Sequence, residues 1–404
     1  MSVVIGIIIG IFMLMFLVTA HEFGHFIMAR RNGVEVEEFG ICFPPRAVAW
    51  RKVNGKWRRL KKSEWKNPPG KGTILSLNWL PIGGFCQMKG ESDADTEKGS
   101  FGAASFWRKT KILFGGVAMN WLVAFVILTV LAWMGMPHFL DNQFKIESDT
   151  KVIVEKPVEI GEVIDSSPAS TAGLKVGDTI KYARAIDENS ERMEIVTTDD
   201  LLSFNKRHAG SVVYLTYVRN NNEMITEVKL NDSSEAYLLG ASISGSAYYM
   251  SSWSAPIVGF MTTAQITGET FKGVGMLLYN LVSGIVQQIN PNEEVRENGA
   301  EAIKSAGDSV SGPVGIVGIL FPAFAASGIN NLGFLVALIS ISLACMNVLP
   351  IPALDGGRWL LIAIYRLKKK KLTKEKEEKI VGRAFIVILL LAAIVTIIDI
   401  LRLF

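Results

Sequence analysis

One five-residue stretch of the chain, His21-Glu22-Phe23-Gly24-His25, has residue types and a spacing that specify a reaction. On a helix, residues four apart share a face, so both imidazoles address one point. That arrangement suits two ligands of a zinc ion, with the intervening Glu22 placed to take a proton from a water. Only 4 histidines occur in the whole chain. The bland alternative is a pair of hydrogen-bonded core histidines. It fits poorly, because three ionisable residues in five positions at the end of an apolar stretch are costly unless they work.

Catalytic zinc takes three protein ligands and keeps one position open, so one ion and a third ligand at the same depth are expected. His138 and His208 fall in an acidic region, and Asp399 lies near the far end of the last apolar stretch. Asp355 is different. It sits in Asn347-Val-Leu-Pro-Ile-Pro-Ala-Leu-Asp355-Gly-Gly, directly after an apolar segment. Pro350 and Pro352 break a helix there, and Gly356-Gly357 permits a turn. Broken backbone at membrane depth is tolerated only where it is buried in protein or lines a wet cavity, which is what hydrolysis in a bilayer needs. A helix cap is the competing role for Asp355.

The elements that must position these groups are read from hydropathy and charge. Of 404 residues, 49% are hydrophobic and only 20% charged, and the mean hydropathy is +0.30. An ordinary soluble enzyme, a disordered chain and a collagen-like chain are all excluded by this. The 3 cysteines are widely spaced and form no CxxC pair, which argues against a disulfide framework and a thiolate zinc site. Residues 1–20 carry no charge, giving about 30 Å of helix, the thickness of a bilayer core. No Lys or Arg precedes Arg30, so a retained span is expected rather than a cleaved signal peptide.

Four membrane helices follow from this pattern: residues 1–30 with the histidine motif, 108–137, 331–365 with the Asn347–Asp355 segment, and 383–404. Residues 31–107 hold 17 basic and 8 acidic residues once the flanking Arg30 and the 108–111 basic cluster are included, and 366–383 hold 9 against 3. Residues 137–330 hold 14 against 24. Basic loops stay in the cytoplasm. The 31–107 region and the 366–382 loop are therefore expected inside, and the large acidic region outside. The Lys368–Lys371 run reads as a topology anchor, not a nucleic-acid site. The Gly-rich stretch 253–290 is expected to be helical and to lie on the outer face.

Two soluble pieces complete the organisation. Within 31–107, Asn54-Gly55 between strand-like flanks signals a type I′ hairpin. Thr73–Lys89 reads as further strand, so a small membrane-associated β region is expected with an edge able to hold an extended peptide. Residues 151–232 alternate as a small β domain, with strands at Lys151–Glu155, Gly161–Ile164 and Val212–Val218 and a short helix at Asp199–Arg207. Its Ser167–Asp178 stretch resembles the signature of bacterial PDZ domains, which take peptide ends as an added strand. Gly173 and Gly177 would serve turns at positive φ. The expected fold class is thus an α-helical polytopic membrane protein with four transmembrane helices, a small cytoplasmic-side β-sheet and an extracytoplasmic β-rich PDZ-like domain.

HExxH in the first span, a distant NxxPxPxLDGG and a PDZ-like insert together resemble the site-2 protease family of intramembrane zinc metalloproteases, in particular its bacterial regulator-of-sigma-E branch. Gly115-Gly116-Val-Ala-Met-Asn120, Pro81-Ile-Gly-Gly84 and Ser311-Gly-Pro-Val314 add to the likeness. The chain departs from the family in having room for one clear PDZ copy where many relatives have two, and in reading Gly40-Ile-Cys-Phe-Pro-Pro45 where a Gly-Phe-Gly-Pro-like loop is usual. The resemblance implies that His21, His25 and Asp355 bind one zinc and that Glu22 is the general acid/base. It further implies that Asn347, with Pro350 and Pro352, holds substrate near the scissile bond. It implies a bacterial inner-membrane protease acting in regulated proteolysis on single-pass membrane proteins, an anti-sigma factor or remnant signal peptides for example. Peptide ends at the PDZ-like domain and the lipid bilayer are further partners. A non-proteolytic PDZ scaffold with a structural metal site is the alternative, and Glu22 speaks against it, since a structural site needs no unliganded carboxylate beside the metal.

Overall fold

A computed structural model of the protein describes residues 3–140, 142–186, 192–234, 237–308 and 310–401. Along the chain the elements are α1 (Val3–Arg31), β1 (Val36–Val53), β2 (Lys56–Arg59), β3 (Ile74–Met88), α2 (Phe106–Met134), β4 (Met136–Pro137), β5 (Lys151–Val163), α3 (Pro168–Thr171) and β6 (Thr179–Ala185). They continue with β7 (Met193–Glu194), α4 (Thr198–Arg207), β8 (Val212–Arg219), β9 (Asn222–Lys229), β10 (Ala241–Met250), α5 (Ala255–Gln288) and α6 (Glu293–Asp308). The last are α7 (Pro313–Gly315), α8 (Phe321–Ala326), α9 (Ile329–Val348), α10 (Asp355–Leu367) and α11 (Lys374–Leu401). A π-helical turn, Ile316–Leu320, joins α7 to α8. The chain divides into two compact units, residues 1–128 with 260–404, and residues 129–259.

Among the described residues, four helices are long and apolar enough to cross a membrane: α1, α2, α9 and α11. Burial separates their roles. Over half of the most apolar stretch of α9 is buried (56%), while that of α11 is not buried at all. Hence α9 is the central helix, packing Leu332, Leu335, Val336 and Ile339 into one cluster with Leu17 of α1 and Phe321 of α8. Between α1 and α2 the contact is backbone on backbone: a methyl added at Gly24 would lie 2.2 Å from the Gly115 carbonyl oxygen. Small residues permit such close approach between helices in lipid.

The sheet of the first unit has the order β2-β1-β3, and both long strands fold back on themselves. Val36–Ile41 pairs with Gly84–Met88 on one side and, from Glu38 onward, with Ile74–Leu77 on the other; the second half of β1 pairs with Leu75–Asn78. Cys42 (φ 64) lies in one bend and Gly83 (φ 133) in the other. The resulting tips leave Trp79 (71%) and Ile82 (70%) largely exposed, an apolar surface fit for lipid contact. The tip rests on α1 just before the histidines: a methyl at Gly83 would meet Val18, and one at Gly84 would meet Thr19. As the Asn54-Gly55 signal suggests, β1 and β2 form a hairpin with both central residues at positive φ.

In the second unit an antiparallel sheet runs β4-β10-β5-β6-β8-β9, with β7 beside β6. Its core packs Val158, Ile160, Ile180 and Leu215 against Leu201 and Phe204 of α4. Thr197 and Asp200 cap α4 reciprocally. Asp178 is wholly buried and takes both arms of Arg219 at 2.7 and 2.6 Å. Gly173 and Gly177 do adopt positive φ.

The element boundaries differ from expectation in three places. The two short strands expected at 151–155 and 161–164 are one strand, β5, which runs on through a bulge where Gly161 and Glu162 stand opposite Ser242. The sheet also continues past residue 232 into β10, whose Ser and Gly content hides its alternation. Finally, α11 starts at Lys374, so most of the expected 366–382 loop is helix. Its Lys-Glu-Lys-Glu-Glu-Lys run is made of good helix formers and extends the apolar segment backwards.

Candidate metal centre

Helix α1 presents His21 and His25 one turn apart, their rings edge to face with centroids 4.8 Å apart. The two Nε2 atoms are 3.1 Å apart. Asp355 Oδ2 lies 3.1 Å from His21 Nε2 and 3.3 Å from His25 Nε2. These three donor atoms form a nearly equilateral triangle. A tetrahedral ion at about 2.0–2.1 Å from each of its ligands holds them about 3.3–3.4 Å from one another. The triangle therefore fits zinc, with the fourth vertex free for substrate or water.

Asp355 reaches this point because the chain turns sharply between α9 and α10. A methyl on Gly356 would lie 2.1 Å from the Val348 carbonyl oxygen, and one on Gly357 would lie 1.9 Å from that of Ile351. Only two consecutive glycines let α10 start so close to the end of α9. One turn further, Arg358 donates to Glu377 Oε1 at 3.3 Å and to the Glu91 carbonyl. Glu377, itself buried, accepts from Ser92 Oγ at 2.9 Å and from the Asp93 N–H at 2.8 Å. Helix α10 is thus tied at its first turns to α11 and to the segment after β3. Asp355 also lines a cleft of about 600 Å³ with Glu37, Gln87, Glu91, Pro352 and Arg358.

The Glu22 carboxylate lies beside the imidazoles, with its oxygen and their ring nitrogens within 4.8 Å of one another. It is also within reach of the backbone N–H of Cys86 in β3. Burial, together with the charges of Glu22 and Glu91, pushes the Cys86 thiol up to about 12. Cys86 therefore stays protonated and offers no competing nucleophile.

Of the residues expected to bind substrate, Asn347 ends α9 and donates its amide to the Leu343 carbonyl of its own helix at 2.9 Å. Pro350 and Pro352 lie in the turn between α9 and α10, the first exposed and the second half-buried on the cleft that Asp355 lines. Nothing brings Asn347 onto the triangle itself.

Three contributors were not legible as site residues. The Ile112 carbonyl accepts from His25 Nδ1 at 2.8 Å, which turns the Nε2 lone pair toward the triangle. Gly116 brings the α2 backbone against the rings: a methyl there would lie 2.6 Å from His21 Cε1 and from His25 Nε2. Asn120, wholly buried, faces His21 Nδ1 at 3.5 Å. The available signals were a glycine pair and a lone amide inside an apolar helix, both of which mark close packing or polar function in lipid.

Comparison with known proteins gives a consistent picture. The family model for peptidase family M50 matches residues 9–60 and 62–392. A Clostridium acetobutylicum chain provisionally named a zinc metalloprotease is 28% identical, covering 98% of this chain and 97% of its own. The zinc metalloprotease RasP of Bacillus licheniformis is 27% identical over 96% of this chain and 97% of its own. The regulator of sigma-W protease RasP of Bacillus subtilis is 26% identical over 96% of both chains.

Proposed function

The chain belongs to peptidase family M50, the site-2 proteases, and from that premise we propose that His21, His25 and Asp355 hold its zinc while Glu22 moves the proton. The protein is a zinc metalloprotease of the membrane that cleaves peptide bonds in or near membrane-spanning segments. The observation that supports the ligand assignment is the 3.1–3.3 Å triangle of two imidazole nitrogens and one carboxylate oxygen. A PDZ scaffold with a structural metal is not favoured by the family or by the free carboxylate of Glu22.

When bound, zinc lowers the pKa of a water it holds to about 7 and polarises the scissile carbonyl. Glu22 takes the proton of the attacking water and hands it to the leaving amine. Its place beside β3 supports a second role for the sheet. A helical substrate hides its peptide bonds in its own hydrogen bonds, so the segment to be cut must unwind. Gly84–Met88 forms an edge of the sheet and passes beside Glu22, which suits pairing with an extended substrate. Proline substitutions along Gly84–Met88 should lower cleavage about tenfold where the N–H they remove points away from β1, since one ladder hydrogen bond to the substrate is lost. Full activity in all of these variants, measured as initial rate on one substrate, removes the pairing model.

The substrates we infer are single-pass membrane proteins, an anti-sigma factor or a remnant signal peptide among them; the Bacillus subtilis relative is named for regulating sigma-W. The charge distribution supports an inner-membrane protein with its metal centre toward the cytoplasm and residues 137–330 outside. Residues 151–232 we read as a PDZ-like module, which takes peptide ends or excludes substrates not yet trimmed. Removing 151–250, so that β10 does not lose its partner β5 alone, should admit untrimmed substrates; unchanged selectivity counts against both roles.

The decisive experiment is cleavage of a single-span protein by the purified chain in lipid vesicles. A chelator should stop the reaction and zinc should restore it. Undiminished cleavage in the metal-free state would overturn the mechanism.

A further inference from the structure

We propose that Asn120 is the positioning residue that selects the zinc-binding tautomer of His21. This rests on the zinc reading above and adds to it a residue outside the ligand triangle.

The two histidines are not held alike. His25 gives its Nδ1–H to a backbone carbonyl, that of Ile112, at 2.8 Å. A backbone carbonyl is only an acceptor, so the tautomer of His25 is fixed and its Nε2 lone pair faces the triangle. At His21, the group facing Nδ1 is the Asn120 side chain, at 3.5 Å. An amide is either donor or acceptor, according to which of its two ends is turned inward.

Only one end is compatible with zinc. If the Asn120 Nδ2 donates to His21 Nδ1, then the ring proton sits on Nε2, pointing at Asp355 and at the site of the ion. If His21 Nε2 keeps its lone pair for zinc, Nδ1 carries the proton and needs an acceptor. Turning the amide by half a turn about its last torsion exchanges oxygen and nitrogen with almost no change in shape. Oδ1 then meets the Nδ1–H. With Nδ2 inward, by contrast, Oδ1 is buried with no hydrogen-bond partner. An acceptor without a donor at full burial is unfavourable. The zinc-compatible orientation converts it into the acceptor that His21 needs.

The surroundings of Asn120 fit a positioning role. Its residue is completely buried. Its backbone carbonyl accepts from Ser340 Oγ of α9 at 2.8 Å, itself fully buried. The backbone that carries Asn120 is therefore held against α9, the helix that leads to Asp355. Gly116, one turn before Asn120, closes the same side of the rings. Outer partners of this kind orient a ligating imidazole and raise its basicity.

The test is zinc affinity of the purified full chain, measured by competition with a chromophoric chelator. Asn120→Leu keeps the volume and removes the acceptor; zinc should bind about 10–100-fold more weakly. Asn120→Asp keeps an acceptor and cannot donate in its ionised form; it should bind zinc at least as tightly as the wild type. A structural amide would give neither the loss nor this rescue. Thermal unfolding in excess chelator serves as the folding control, and Asn120→Ala replaces the leucine variant if that one does not fold. Wild-type affinity in the acceptor-free variant, or an aspartate variant as weak as it, overturns the proposal while leaving the zinc site standing. A wild-type chain without stoichiometric zinc would overturn both.

Discussion

Glu22→Gln should leave zinc bound and lower peptide hydrolysis by about a thousandfold or more. Glutamine has the shape of glutamate but cannot accept the proton of the attacking water. General-base catalysis by a positioned group contributes about 10²–10⁴ in rate, so a thousandfold loss is near 4 kcal/mol of transition-state stabilisation at about 1.4 kcal/mol per decade. Metal retention is the sharper half of this expectation. Glu22 lies within 4.8 Å of the ring nitrogens, close enough to be considered as a ligand itself. The tighter triangle of 3.1–3.3 Å uses Asp355 instead. Metal analysis separates the two carboxylates: Glu22→Gln should carry one zinc per chain, and Asp355→Ala should lose most of it. Activity near wild type in Glu22→Gln would remove Glu22 as the base. Loss of zinc from it, with zinc kept in Asp355→Ala, would exchange the two roles.

How legible this centre was in the sequence depends on how local each relationship is. His21, Glu22 and His25 are read from helical spacing alone, because four residues span one turn. Asp355 is about 330 positions further on, and its approach had to be argued from the level at which each apolar segment ends. The structure brings it within 3.3 Å of both imidazoles. Gly116 and Asn120 are a different case. Their side of α2 turns toward the histidines only because Gly24 and Gly115 let the two backbones touch, and an apolar helix gives no period from which to read that rotation. The sheet was legible as strands and one hairpin. Its doubling back at Cys42 and Gly83 was not, since a non-glycine residue at positive φ, as at Cys42, has no composition signal. Likewise β10 is a strand of Ser, Gly and Ala in large part, recruited by its neighbours rather than by propensity.

Gly116→Ala is expected to weaken zinc binding about 10–100-fold and to reduce activity at least as much. A methyl at this position would lie 2.6 Å from His21 Cε1, 2.6 Å from His25 Nε2 and 2.7 Å from His21 Nε2. Carbon and nitrogen atoms in ordinary contact are about 3.5–4.0 Å apart, so something must move by nearly 1 Å. The His25 ring has little freedom to do so, because its Nδ1 is hydrogen-bonded to Ile112 on the same helix as the new methyl. Inserting one methyl into a packed interior costs about 1–3 kcal/mol, and every 1.4 kcal/mol is a factor of ten in affinity. Helix propensity acts in the opposite direction, since alanine is about 1 kcal/mol better than glycine inside a helix. The variant is therefore expected to fold, and its defect to appear in metal binding. Gly115→Ala is the control. Its methyl would meet the Gly24 carbonyl and Met28, each at 2.8 Å, and no ring nitrogen is among its nearest neighbours. It should loosen the contact between α1 and α2 and lower the melting temperature more than Gly116→Ala does. Wild-type zinc affinity in Gly116→Ala would mean that the ring nitrogens have room to spare, and the triangle would lose its claim to be a preformed tetrahedral face.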